Sequence, residues 1–281
     1  MEVRARWAAD ALRRELGIPL DKDISVGIIL GTGWGEALPL KVISRVGLKK
    51  ITSFEELGDL EGHAREVVYG TVGGVDVIVL RGRIHLNEMP PSRESLYWMV
   101  RIQTEMLLQL GVKTLIVTSA VGSLDRKIEV GDVVAVNGFV TLFAPPMPLW
   151  AGEFVSPEDT LSGVLRQQAL ATALGVGIRM HSAGHVMVRG PQFEGRRYDK
   201  KYLRKTGAKV VGMSMLPEAC VAALYNAQVL GLGFVTNDAV ETHSHEENIA
   251  RAKASAKKLG SLLEGIIARI SGKKVVTQPA R

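Results

Sequence analysis

Apolar residues in this chain gather in short, nearly unbroken runs, each closed by glycine or by small polar residues. The runs are Ile24 to Leu30, Glu66 to Thr71, Val75 to Leu80, Thr114 to Val117, Asp132 to Val136, Gly184 to Val188, Lys209 to Val211 and Val229 to Val235. Runs this short and this rich in valine and isoleucine predict strands buried on both faces. Between them the apolar residues fall at helical spacing. Residues 1–17 place Val3, Trp7, Ala8, Leu12 and Leu16 on one face, with Gly17 as the stop. Further helices are predicted over Ser92 to Leu110, Thr160 to Leu174 and Ala219 to Leu230, with a last long one ending near Ile270. Gly73-Gly74 predicts a hairpin, and the proline-rich Ala144 to Trp150 a surface loop. Strands alternating with helices predict an α/β fold. No repeat or linker interrupts it, so one domain is expected over 1–270, with a polar tail at 271–281.

The residues just past each strand carry the chemistry. The first strand runs into Gly31-Thr32-Gly33-Trp34-Gly35. Glu36 occupies the place of the third glycine of a dinucleotide fingerprint, and no acidic strand end lies at the required distance beyond it. The loop suits a smaller anion, bound by backbone N–H groups and the Thr32 hydroxyl. Arg83 and His85 alternate with Ile84 and Leu86, so both are expected on one side of an extended segment, a pairing suited to phosphate. The alternative is a solvated edge. Thr118 to Ser123 forms a small polar tip, and Phe193 with Glu194 joins a stacking face to an acceptor on a turn. Pro217 and Glu218 open a helix, with the glutamate suited to its positive end. Met213 and Ser214 just before it, and Asn237 after the next strand, are expected at one edge of the sheet, where α/β folds hold ligands.

Composition narrows the class. The chain has 281 residues, a net charge of +6 and dispersed basic residues, a balance that attracts anionic substrates without implying nucleic acid. A lone Cys220 rules out an internal disulfide and fits a reducing compartment. No signal-peptide core or membrane-length apolar span is evident, so a cytoplasmic protein is expected. His243 and His245 lie near acids, but their spacing matches no zinc pattern and no metal is expected.

The tips, taken together, resemble the trimeric purine nucleoside phosphorylase family, which includes methylthioadenosine phosphorylase. The resemblance spans about residues 24–270. It rests on Gly31-Thr32-Gly33, Gly62-His63-Ala64, Gly82-Arg83-x-His85, Thr118 to Leu124, Gly190-Pro191-x-Phe193-Glu194, Val211 to Ser214, Thr236-Asn237 and His245-Glu246-Glu247, all in the family's order. It implies a mixed, partly barrel-like central sheet flanked by helices, and a homotrimer or a dimer of trimers. It also implies phosphorolysis of inosine and guanosine in purine salvage, with phosphate as co-substrate and no cofactor. Thr32, Arg83, His85, Ser214 and the Ala120 N–H resemble the phosphate site. His63 resembles the histidine at the pocket mouth, and Met213 and His245 the ribose and 5′-hydroxyl contacts. Phe193, Glu194 and Asn237 resemble the base site, and Phe154 an aromatic lent by a neighbouring subunit. The catalytic roles fall to His85, Glu194 and Asn237.

The chain departs from the family in several places. Asn87 and His185 stand where tyrosines are usual, on the ribose side in the case of Asn87, and Ser119 replaces a common asparagine. Gly138 to Leu142 replaces the usual Asp-His-Ile-Asn stretch, and the loop after it is short. The alternatives are methylthioadenosine phosphorylase, which His245 argues against, a hydrolase, and a catalytically silent nucleoside-binding protein.

Overall fold

The computed structural model describes residues 2–35, 37–58, 64–88, 92–150, 152–190, 192, 195, 198–238 and 254–273. Its strands are β1 (Val26–Leu30), β2 (Lys41–Gly47), β3 (Glu66–Val72), β4 (Val75–Arg81), β5 (Thr114–Ser123), β6 (Val133–Val140), β7 (Met180–Met187), β8 (Val210–Gly212) and β9 (Gln228–Asp238). The helices are α1 (Glu2–Glu15), α2 (Arg93–Gln109), α3 (Gly163–Gly175), α4 (Asp199–Lys205), α5 (Leu216–Leu224) and α6 (Ala256–Ile270). The strands form one sheet in the order β2-β3-β4-β1-β5-β8-β7-β6-β9, and β9 pairs again with β5. That second pairing closes β5, β8, β7, β6 and β9 into a barrel, with β1 to β4 running on as an open wing. Parallel and antiparallel pairs are mixed throughout.

Strand alternation sorts the core into two sides. On β1 and β5, Ile29, Leu115 and Val117 share a core with Leu12 of α1, Ile102 of α2 and Val221 of α5. Their neighbours Ile28 and Ile116 join Ala169 of α3 and Ile266 of α6 on the other side. The central strands are thus apolar on both faces, which is why they read as unbroken runs. Local signals set the element ends as expected. The Ser92 hydroxyl accepts the Ser95 N–H at 3.0 Å to cap α2. Gly73 and Gly74 turn the β3–β4 hairpin at positive φ.

Four expectations change. On α1 the buried stripe is Ala5, Ala8, Ala9, Leu12 and Leu16, while Val3 and Trp7 are exposed, because the small alanines are what faces the core. The helix expected over Ala219 to Leu230 is α5, which ends at Leu224. Asn226 turns left-handed, and Val229 and Leu230 belong to β9. Both segments are mostly apolar and mostly buried, which hides the period that separates helix from strand. Thr118 to Ser123 is not a loose tip but the second half of β5, held in register by β9 along its length. Likewise Gly138 to Val140 extends β6, paired with β7.

Residues 144–150 form no helix or strand, as expected, and are anchored from below. Arg101 of α2 donates to Glu153 and to the Pro148 carbonyl, with its guanidinium over the Trp150 ring at 4.8 Å. Among the described residues no helix is long and apolar enough to cross a membrane.

Candidate active site

Because β1 lies parallel between β4 and β5, the segments leaving β1 and β4 arrive beside the middle of β5. Gly31 is the first residue past β1. A Cβ there would lie 2.5 Å from the Thr118 carbonyl and 2.8 Å from Arg83 Nη2, so the close approach requires glycine. The Gly31 N–H donates to Thr118 Oγ1 at 3.1 Å, and the indole N–H of buried Trp34 donates to the Ser119 carbonyl at 3.0 Å. These two bonds stitch the glycine-rich loop, with half-buried Thr32 in it, to β5.

Arg83 comes just after β4 and is 0% exposed. Its Nη1 donates to Glu218 Oε1 at 2.8 Å and its Nη2 to the Thr118 carbonyl. Its Nε and the second oxygen of Glu218 have no partner among the described residues. Ile84 is buried along with Arg83, whereas His85 is partly exposed. His85 is held by Glu88, which accepts its backbone N–H at 2.8 Å and lies 3.3 Å from its Nδ1. Burial pushes the Glu88 carboxyl up, but the hydrogen bonds from His85 and the charge of Arg65 outweigh it, leaving Glu88 below the usual carboxylate range. An ionised Glu88 then favours the His85 tautomer that carries its proton on Nδ1.

The turn from β8 into α5 meets β5 from the other side. Ser119 Oγ donates to the Ala120 carbonyl at 2.8 Å and lies 2.9 Å from Ser214 Oγ. With the Ser119 proton so used, the proton between the two hydroxyls is that of Ser214. Met215, next in the turn, holds φ at +74°, strain of the kind that collects at functional turns. Glu218, expected to serve the helix end, makes no cap there and turns inward to Arg83. Cys220 is buried two residues along, and burial and the Glu218 charge push its thiol up to about 12, so packing is its role.

Asn87 and Met213 converge on Gly190, where an added Cβ would lie 2.4 Å from Asn87 Nδ2 and 2.6 Å from Met213 Sδ. His185 of β7 is fully buried, edge-on to Phe139 at 5.8 Å and packed against Gly212. Both of its ring nitrogens lack a partner among the described residues, and burial lowers it to about 4, so it is neutral. Asn237 is buried near the end of β9, in register with Gly122, and its side-chain carbonyl accepts from Thr236. From Thr118, which receives Arg83, to Gly122 is four residues of β5, about 13 Å at the rise of a strand. Arg83 and Asn237 therefore stand at two points along one strand.

Of the residues expected at the site, the structure brings Thr32, Arg83, Ala120 and Ser214 together around β5, and Asn87 together with Met213. His185 sits against Gly212 in the adjoining strand. Phe154 stands apart. It is 95% exposed and borders a groove of about 410 Å3 shared with Thr160, Ala223 and Gln228, at the far end of β9 from Asn237. His63, Phe193, Glu194 and His245 lie outside the described residues. Sequence reasoning passed over Glu218 as a partner of Arg83, Glu88 as a partner of His85, and Trp34 as the loop's fastening. Only Glu88 had a local signal, its place three residues after His85.

Known proteins resemble this chain in both sequence and fold. The model of the phosphorylase superfamily matches residues 25–268. A purine nucleoside phosphorylase of Mycobacterium tuberculosis is 32% identical over 276 residues, 94% of this chain and 96% of that protein. That of Bos taurus is 30% identical over 263 residues, 87% and 89% of the two chains. Among solved structures, the Schistosoma mansoni purine nucleoside phosphorylase in complex with adenosine superimposes with a TM-score of 0.80 at 27% identity, covering 95% of this chain and 96% of that one. The chain thus belongs to the phosphorylase superfamily and, within it, to the purine nucleoside phosphorylases, which are pentosyltransferases.

Proposed function

We propose that this enzyme acts on 6-oxopurine nucleosides, inosine and guanosine, together with inorganic phosphate, and yields the free base and (deoxy)ribose 1-phosphate. The observation that carries the reading is the placement of Arg83 and Asn237 along one strand, with the Ser119–Ser214 hydroxyls between the segments that bear them. Phosphate is assigned to Thr32, Arg83, His85, the Ala120 N–H and Ser214. One of its oxygens forms the bond to the anomeric carbon as the bond to N9 of the purine breaks, and the electron pair leaves with the base. Positive charge then develops on the sugar beside the phosphate and negative charge on the purine. Asn237 is assigned as the donor where that negative charge appears, Glu194 accepts from the N1–H side of the purine, and fixing both reactants in place removes much of the entropic barrier. An amide at Asn237 can donate to O6 and accept from a protonated N7, which favours a 6-oxopurine over a 6-aminopurine. Schistosoma purine nucleoside phosphorylases are known in complex with guanosine and inosine and also with adenosine, so the preference proposed here rests on Asn237.

His63, Asn87, Phe193, Met213, His185 and His245 complete the nucleoside contacts in this assignment. In the same assignment Phe154, exposed and remote from its own Asn237, serves a neighbouring subunit of a homotrimer.

The test is turnover of inosine, guanosine, adenosine and methylthioadenosine, each with and without phosphate. Inosine and guanosine should lead, and cleavage should cease without phosphate. Cleavage that continues without phosphate would make the enzyme a hydrolase, and a lead for methylthioadenosine would move it to that branch of the family. Asn237→Asp should turn the inosine-to-adenosine ratio toward adenosine. An unchanged ratio would remove Asn237 from the base site.

A further inference from the structure

We infer that Glu218 is a positioning residue for phosphate, acting through Arg83. This rests on the assignment of Arg83 to the phosphate site. Glu218 stands in the first turn of α5, where a glutamate ordinarily reaches back to cap the helix or points to solvent. It does neither. It is 2% exposed, makes no cap hydrogen bond, and accepts from Arg83 Nη1 at 2.8 Å. Arg83 has a second hydrogen bond on its other terminal nitrogen, to the Thr118 carbonyl. Two bonds on different nitrogens fix both the direction and the plane of a guanidinium. The group is held directly beneath Gly31, whose missing side chain leaves 2.8 Å between a would-be Cβ and Arg83 Nη2.

The pair is also incompletely coordinated. Arg83 Nε and Glu218 Oε2 are both buried and unpartnered among the described residues. Each such orphan costs free energy, and a ligand oxygen at Arg83 Nε would remove one of them. Here the carboxylate aims the guanidinium while leaving part of its donor capacity to a ligand. Ser214, on the same turn four residues before Glu218, ties the aim to the second phosphate contact. Strain at Met215 holds that turn in the shape that points both side chains inward.

The test compares Glu218→Gln, Arg83→Gln and the double variant by steady-state kinetics, varying phosphate and nucleoside separately. Gln keeps an acceptor at the same reach but lacks the charge, so the fold is preserved. For Glu218→Gln the KM for phosphate should rise about tenfold, the worth of a hydrogen bond to a charged group, with the nucleoside KM unchanged. Glu218→Ala, with no acceptor at all, should be worse than Glu218→Gln. In the Arg83→Gln background the Glu218 change should add less than about twofold, because its effect passes through Arg83. If Arg83→Gln raises the phosphate KM and Glu218→Gln does not, the inference fails while the phosphate site stands. Equal loss toward phosphate and nucleoside in Glu218→Gln would also overturn it, as damage to the fold at large. An Arg83→Gln enzyme with normal phosphate dependence would remove both residues from the site.

Discussion

Arg101 and Arg83 are both buried and both paired with carboxylates, yet their surroundings differ. Arg101 is bonded through all three nitrogens. Its Nε donates to Glu105 at 2.7 Å, Nη1 and Nη2 grip the Glu153 carboxylate, and its face lies on Trp150. Glu105 in turn accepts from the Tyr225 hydroxyl. Arg83 has one carboxylate, one carbonyl and an Nε with no partner among the described residues. A saturated arginine is a fastener, and here it bolts the proline-rich segment to α2. Under the proposed function, the acceptor for the spare donor of Arg83 is a phosphate oxygen. Burial alone does not separate the two: Arg101 has every nitrogen bonded, whereas Arg83, like Arg65 and Arg81, has an Nε with no partner among the described residues.

Breaking the fastener should give the largest effect on stability. Arg101→Met strands the carboxylate of Glu105, which is 1% exposed; the cost should be about 4 kcal/mol. For a chain of this length that is a fall in Tm of about 10 °C, read by thermal denaturation, with the phosphate KM of the folded enzyme unchanged. An unchanged Tm would deny Arg101 its structural role. Arg83→Gln should do the reverse. Phosphorolysis should fall about a hundredfold or more, with the loss concentrated in the phosphate dependence.

His185 gives an intermediate effect and a pH signature. Its folded value of about 4 lies below the ordinary 6.5, so between those values the unfolded chain binds the extra proton. Stability should therefore be level above pH 6.5, fall as pH drops from 6.5 to 4, and level off below. The whole change is at most about 3 kcal/mol. His185→Phe should remove that slope in denaturant titrations across the window; an unaltered slope would place the proton uptake elsewhere. The smallest change is Ser119→Ala, which frees the Ser214 hydroxyl of one neutral hydrogen bond. It should alter the phosphate KM by about fivefold, in keeping with about 1 kcal/mol.

The strands and helices were legible because their signals are local. Ser92 caps its own helix, Gly73-Gly74 turns its own hairpin, and each valine-rich run reports that both its faces are covered. The errors came where the deciding partner is remote. Thr118 to Ser123 looks like a polar turn until β9 pairs with it, and Leu230 looks helical until Asn226 turns the chain into β9. Glu218 looks like a helix-end charge until Arg83 arrives from a hairpin 135 residues away. Asn87 and Met213, far apart in the chain, meet only because Gly190 admits both.

By itself, then, the sequence determined the alternation of strands and helices and the kinds of side chain that end each strand, because period, caps and turns are properties of neighbouring residues. The tertiary structure decided which of those ends meet. Only the second pairing of β5 with β9 closes the barrel and sets Asn237 four residues along from the carbonyl that receives Arg83. Closure and register arise from contacts between residues distant in the chain, and no local pattern encodes the distance between two tips.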